Sequence, residues 1–351
     1  MTTLRRIIGL ALLLLAGCER GQAPVHEQFQ AYGTNTDVQI RGAPRDRAEA
    51  AVAEIAKELR QREKEWHAWE PSDLTRINAA FAAGRPALAP DSILLLLRRS
   101  QALAKDSDGL FDPAVGGLVE MWGFHTLESP IRSPEPTPPQ IEQWLQAHPS
   151  VLDVEVHGNV LSSRNPAVQL DFDALSEGAS EQIAVGILRR HGIAHALISM
   201  GNDYTSLGDG SGAAWTVELK DPFGGVLGSI DLADTEALFT SGNYNKFRDA
   251  PNGGRWGHVL DPRTGYPARG AAAVAVLHAD PILADAASTT LMAGGPAEFA
   301  RLVRKFNLGC AMMLTEENEL LITRGMQARM HFQRDPIPLG APLDIGSDCS
   351  R

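Results

Sequence analysis

The chain has 351 residues, and 43 acidic side chains against 32 basic ones give it a formal net charge of −11. With no Lys/Arg-rich run to neutralise phosphates, nucleic acid is excluded as the expected partner. An anionic ligand would need its charge compensated by a bound cation or by backbone N–H groups.

Residues 1–17 open with Arg5 and Arg6, run apolar from Ile7 to Ala16 and end on small residues. Roughly ten apolar residues are too few for a bilayer core that needs about twenty, so the segment reads as a secretory signal peptide. Leu15-Ala16-Gly17-Cys18 fits the pattern after which signal peptidase II cleaves and Cys18 is lipidated. The expectation is a domain lipid-anchored through Cys18 on the periplasmic side of a bacterial membrane. The organisation is then a signal peptide (1–17), an acylated linker (18–27), one domain (28–335) and a C-terminal tail (336–351). Cys310, in the apolar "LGCAMML", is expected as a buried thiol, with a disulfide to Cys349 as the alternative; two isolated cysteines make neither a disulfide framework nor a metal cluster.

In chain order, "FQAYGTNTDVQIRG" reads as a first strand and "RAEAAVAEIAKELRQREKEWHAW" as an amphipathic helix. A second helix is expected over Asp91–Lys105, broken by "DSDG"; the Pro-rich 129–139 reads as a surface loop leading into a helix over Gln140–Ala147. "ASEQIAVGILRRHG" is helical, and "AHALISMG", "AWTVELKDP", "GVLGSIDLADTEALFTSG" and "GAAAVAVLHA" read as short strands. "PILADAASTTLMAGG" and "PAEFARLVRKFN" follow as helices, and "GCAMMLTEENELLITRG" as a terminal hairpin. Helices and strands interleave without regular βαβ alternation, so the class is α+β, one large domain with mixed sheets and packed helices.

Four clusters concentrate polar and glycine residues at element ends. "SDGLFDPAVGGLVEMWGF" (107–124) pairs Asp112-Pro113 with two glycines and flat aromatic surface. "LDFDALSEGAS" (170–180) crowds Asp171, Asp173 and Glu177 just before a helix, with Gly178 allowing close approach or positive φ. "TSGNYNKFRDAPNGGRWGHVLDPRTGYP" (240–267) holds a Pro262/Gly265 turn with His258 three residues before Asp261, where a neutral imidazole could act as a general base. In "LADAASTTLM" (283–292), Asp285 and Thr289 lie one turn apart, either as helix cap and local hydrogen bond or as hard oxygen donors for a cation such as Mg²⁺. No Ser-His-Asp spacing, Walker motif or dinucleotide fingerprint is present.

The ordered series "YGT" (32–34), "SDGLFDPAVGGLVEMWGF", "LDFDALSEGAS", "SMGND" (199–203), "TSGNY", "HVLDPRTGYP" and "DAASTT" resembles the ApbE-type flavin transferases, the FAD:protein FMN transferases of bacterial envelopes. The resemblance implies a T-fold-related ApbE-like domain that binds FAD and Mg²⁺, cleaves the FAD diphosphate and attaches FMN to a Thr or Ser of an acceptor flavoprotein, such as a membrane electron-transfer subunit. It places metal ligands at Asp285 and Thr289, with the Ala174 carbonyl and with Ser288 where some relatives carry a further carboxylate. Tyr32, Trp69, Leu110, Phe111, Asp112, Asp171, Glu177 and Leu260 fall on nucleotide-binding positions. Asp285 and His258 are the expected catalytic residues, His258 deprotonating the acceptor hydroxyl. The chain departs from the family at Ala179, usually aromatic, and at Asn202, usually Gly. FAD hydrolysis to FMN and AMP, and FAD binding without catalysis, are the alternative readings.

Overall fold

The computed structural model describes residues 23–126, 128, 131–244, 246–250, 254–346 and 349; the expected signal peptide and Cys18 lie outside them. Among the described residues, no helix is long and apolar enough to cross a membrane.

Nine strands form one sheet whose spatial order follows the chain: Val25–Ala31, Thr34–Arg41, His195–Met200, Asp203–Leu207, Ala237–Gly242, Ala271–His278, Cys310–Thr315, Glu319–Ile322 and Ile337–Pro338. Every neighbouring pair is antiparallel except the last, which is parallel. Antiparallel neighbours need only a short return, so the long segments between strands are insertions that cover the two faces. Among the described residues eight helices lie in them: α1 (Arg45–Trp66), α2 (Asp73–Ala82), α3 (Asp91–Asp106), α4 (Gly116–Trp122), α5 (Pro138–Ala147), α6 (Asp173–Arg190), α7 (Pro281–Lys305) and α8 (Arg324–Arg329).

Side chains alternate between two cores. Along Cys310–Thr315, Ala311 and Met313 enter the core beneath α7, whereas Cys310, Met312 and Leu314 enter the opposite one. The run reads as continuously apolar because both faces are covered. On the helical face, α1 contributes Ala48, Ala51, Val52, Ile55 and Leu59, a helical stripe that packs with Ala184, Val185 and Leu188 of α6. On the other face, a three-stranded sheet of Met330–Phe332, Val226–Leu232 and Trp215–Lys220 buries Trp215; burying a side chain of that size contributes at least about 2 kcal/mol.

Several expectations shift. The first strand is a hairpin, turning at Tyr32 (φ 52°) and Gly33, and it begins at Val25, inside the segment read as linker. Helix α1 stops at Trp66 instead of Trp69, because His67 Nδ1 accepts the Trp69 and Glu70 N–H groups. "GVLGSIDLADTEALFTSG" divides between two sheets. The hairpin at 310–322 is not terminal, since α8 and two strands follow. The expected tail adds the strand Ile337–Pro338, and Cys349 is disulfide-bonded to Cys310, so Cys310 is not a free thiol.

The crossing of α6 and α7 builds the floor of the cleft described next. Gly178 sits at the contact, where a Cβ would lie 2.4 Å from the Pro281 carbonyl oxygen. Close approach, and not positive φ, is what this glycine provides. Helix α7 is capped by Asp280, whose Oδ1 accepts from the Ile282 and Leu283 N–H groups, so Asp285 is not the cap. At Gly295 (φ 64°), followed by Pro296, α7 breaks into the two helical segments read from the sequence.

Candidate active site

A cleft of about 370 Å³ opens where α6 and α7 meet the ends of the strands His195–Met200 and Ala237–Gly242. It is closed by residues from 110–124 and 240–262. The four sequence clusters, separated by up to 180 residues, therefore converge on one cavity. The Asp261–Gly265 turn forms as its residues dictate: Thr264 and Gly265 donate to the Asp261 carbonyl, and Gly265 takes φ 75°. Trp122 Nε1 fixes the turn by donating to the Gly265 carbonyl at 2.9 Å.

Of the sequence-selected residues, Leu110, Phe111, Asp112, Asp171, Ala174, Glu177, His258, Leu260, Asp285 and Thr289 line the cleft. Three do not. Tyr32 stacks on Trp66, ring centroids 6.3 Å apart. Trp69 lies outside the lining and is tilted against His125, ring centroids 5.2 Å apart. Ser288 is buried, its Oγ donating to the Asp285 carbonyl at 2.9 Å and lying 2.8 Å from Ser241 Oγ. Asp112 lines the wall, but both its oxygens are engaged: Oδ1 accepts from Ala114 and Val151 N–H, and Oδ2 from Ser150 Oγ. It braces the loop before the short helical turn at Val151–Asp153.

The floor is a set of buried and half-buried carboxyl groups, Asp171, Glu177, Asp203 and Asp285, none of which forms a salt bridge among the described residues. Burial, with Asp173 nearby, pushes Asp171 up to about 7. Burial also holds Glu177, Asp203 and Asp285 well above the usual carboxylate range, reinforced by one another's charge. Glu177 and Asp203 share a side-chain hydrogen bond, and Asp203 Oδ1 also accepts from the Thr240 N–H at 2.7 Å. Behind them Glu181, one turn along α6 from Glu177, is fully buried and accepts from Thr205 Oγ1 at 2.5 Å. Carboxyl groups in this state keep their protons to higher pH than free ones, and a bound cation opposes that shift.

The donor chemistry fits a hard cation. Gly178 N–H holds Asp285 Oδ2 at 2.9 Å, which leaves Oδ1 as a carboxylate donor. The Thr289 hydroxyl follows one turn later, and Ala174 lines the same cavity. Among the described residues no group of three or more His, Cys, Asp or Glu is arranged to hold a metal, so such a site would combine one carboxylate with neutral oxygens.

His258 faces the carboxyl floor as a neutral group. Burial and the Lys246 charge hold its pKa below the usual imidazole value. Its Nδ1 lies 3.2 Å from the Lys246 carbonyl; a carbonyl only accepts, so Nδ1 carries the hydrogen and Nε2 keeps its lone pair. Phe124 packs edge-on at 6.5 Å.

Sequence reasoning assigned no role to Asp203, Glu181, Ser241 or Lys246. Asp203 and Ser241 lay inside quoted motifs, "SMGND" and "TSGNY", so their positions gave a signal. Lys246 lay inside the quoted 240–267 cluster without a role of its own, and Glu181 gave no signal, because only the fold brings it beneath the cleft.

The profile of the ApbE family matches residues 32–314. The FAD:protein FMN transferase of Rhodobacter capsulatus is 38% identical over 347 residues, or 96% of this chain; the chain spans 65% of that relative's length. A protein of the same name from Klebsiella pneumoniae is 27% identical, with 90% of this chain and 93% of its own length covered. The ApbE protein of Thermotoga maritima superposes with a TM-score of 0.77 at 26% identity, across 89% of this chain and 100% of that one. With four of its own motifs converging on one cleft and a family profile matched across most of its length, the chain belongs to the ApbE family.

Proposed function

We propose that this chain is an FAD:protein FMN transferase that moves FMN from FAD onto a Thr or Ser hydroxyl of an acceptor flavoprotein and releases AMP. The observation that carries the reading is a neutral His258 in one cavity with hard oxygen donors on an acidic floor. The names of the related proteins support it.

In this reading His258 Nε2 takes the proton from the acceptor hydroxyl, whose oxygen attacks the phosphorus of the FMN half. The new O–P bond forms as the bridging P–O bond breaks, and AMP leaves with the bridging oxygen and its electron pair. Asp285 Oδ1, Thr289 Oγ1 and the Ala174 carbonyl would hold Mg²⁺, which would supply charge neutralisation and Lewis-acid activation at the diphosphate. Gly178 N–H holds Asp285 in place for that role. The Leu110–Asp112 segment, Asp171, Glu177 and Leu260 line the space left for the nucleotide.

The same proposal places the protein on the periplasmic side of a membrane, lipid-anchored through Cys18. The Cys310–Cys349 disulfide supports an oxidising compartment.

The test is to incubate the protein lacking residues 1–18 with FAD, Mg²⁺ and a candidate acceptor domain, and to weigh the acceptor intact. A gain equal to FMN, with AMP released and both abolished by EDTA, is the expected result. AMP without acceptor labelling would replace transfer by hydrolysis, and intact bound FAD would replace it by binding alone.

A further inference from the structure

Six acidic side chains line the cleft, those of Asp112, Asp171, Asp173, Glu177, Asp203 and Asp285. Among its described lining residues the one Lys or Arg side chain is Lys246. Nearby arginines are already committed: Arg248 donates to the Trp122 and Ser133 carbonyls, Arg263 forks onto Asp261, and Arg269 lies over the Trp256 ring. The charge of Lys246 is instead felt at Asp171 and at His258 inside the cavity.

The backbone explains the position. The strand Ala237–Gly242 carries the chain out of the main sheet, and a two-stranded ribbon then pairs Phe247 with Gly257 and Asp249 with Arg255. Lys246 and His258 are the residues at the base of that ribbon, joined by His258 N–H to Lys246 O at 3.2 Å. The ribbon thus delivers a cation and a proton acceptor to the cleft as one unit, on a different element from the acidic floor.

Resting on the transferase reading above, we propose that Lys246 is the phosphate-binding residue of the site: its ammonium grips the phosphoryl group that passes from FAD to the acceptor. A diphosphate entering a cavity lined by six acidic side chains needs positive charge on more than one side, and a cation held at Asp285 covers only the α7 side. As the acceptor O–P bond forms and the bridging P–O bond breaks, the non-bridging oxygens of the transferred group stay within reach of one fixed cation. The proton goes to His258 Nε2. Lys246 also favours the neutral form of that imidazole; of the groups facing His258, Asp173 opposes it and the Phe124 ring is uncharged.

The experiment compares FAD with riboflavin, which has the same ring system and no phosphate, by fluorescence titration of the protein lacking residues 1–18 without Mg²⁺. Lys246→Met should weaken FAD binding by about tenfold or more and leave riboflavin binding unchanged, whereas Lys246→Arg should keep most of the FAD affinity. In the transfer assay, the acid limb of the Lys246→Met pH profile should move to higher pH, since His258 loses its cationic neighbour; a purely structural role would not move it. Equal losses for FAD and riboflavin, or an unchanged FAD affinity, would overturn the assignment while leaving the transferase reading intact. A wild-type protein that binds FAD tightly but labels no acceptor would sink the transferase reading, and the FAD/riboflavin contrast would still decide Lys246. A wild-type protein that binds neither flavin would overturn both.

Discussion

Buried carboxylates occur on both faces of the nine-stranded sheet, and those on the cleft floor are treated differently from others, such as Glu65 and Asp261, which meet Arg62 and Arg263. On the far face, Asp221 and Glu236 are 6% and 3% exposed, and each is matched by an arginine, Arg334 and Arg329 respectively. Arg334 holds Asp221 below the usual carboxylate range. On the helical face, Asp203 and Asp285 are 8% and 7% exposed, meet no arginine, and are held well above that range by burial. The fold can pair a buried acid where it needs one for packing. On the function proposed above, acids left unpaired in the cleft mark a place kept for a cation and its ligand, at the expense of stability.

The contrast is sharpest at Asp285. Asp285→Asn should lower transfer by on the order of a thousandfold, while raising the melting temperature of the metal-free protein near neutral pH. Turnover within tenfold of wild type, measured with saturating Mg²⁺, would remove Asp285 from the site. Cys349→Ser tests the far face: opening a link between residues 39 apart in sequence should cost about 3–4 kcal/mol of stability, read by urea unfolding, with transfer at 25 °C unchanged. A parallel loss of activity in the folded variant would mean that the two faces are coupled.

His258→Ala should slow transfer by roughly a hundredfold with FAD affinity unchanged, and equal losses in binding and rate would make His258 a packing residue. Asp221→Asn should destabilise the protein by about 1–2 kcal/mol, because it removes the anionic partner of the half-exposed Arg334. Its sign is opposite to that of Asp285→Asn in the metal-free protein. Thermal shifts of the same sign for the two variants would break the comparison.

Much of the helical face was legible in the sequence. Glycine, proline and aspartate leave local signatures, so the turn at Asp261–Gly265 and the break at Gly295 followed from residue chemistry. The Ala48-to-Leu59 stripe gave α1 by its spacing. What escaped was fixed by distant partners. "GVLGSIDLADTEALFTSG" has no internal mark of where the chain changes sheets, since both sheets bury alternate residues. Ser288 lies on the same helix as Asp285 and Thr289, yet its hydroxyl turns to the Asp285 carbonyl and Ser241. Residues 336–351 read as a C-terminal tail, although Cys349 is tied to Cys310 and Ile337–Pro338 extends the sheet.

The smallest effect separates the faces by pH. A carboxyl group whose pKa is raised on folding keeps its proton longer than the unfolded chain does, so its contribution to stability is full below about pH 4 and falls as pH rises through the folded value. Asp171, raised to about 7, sets that window, and Glu177, Asp203 and Asp285 act in the same direction. His258, lowered by burial, opposes them below its unfolded value near 6.5, but Asp112 and Glu181 are raised as well, so the raised acids outnumber it. Asp221 behaves inversely: its contribution is present above its unfolded pKa and lost only as pH falls through the lower folded value, so it is constant in this range. The melting temperature in EDTA should therefore drop by about 2–5 °C between pH 5.5 and 7.5. Asp171→Asn should flatten that slope, and Mg²⁺ at pH 7.5 should recover the loss. A melting temperature that rises over the same interval would mean that the cleft acids are ionised without a cation, and the distinction between the two faces would fail.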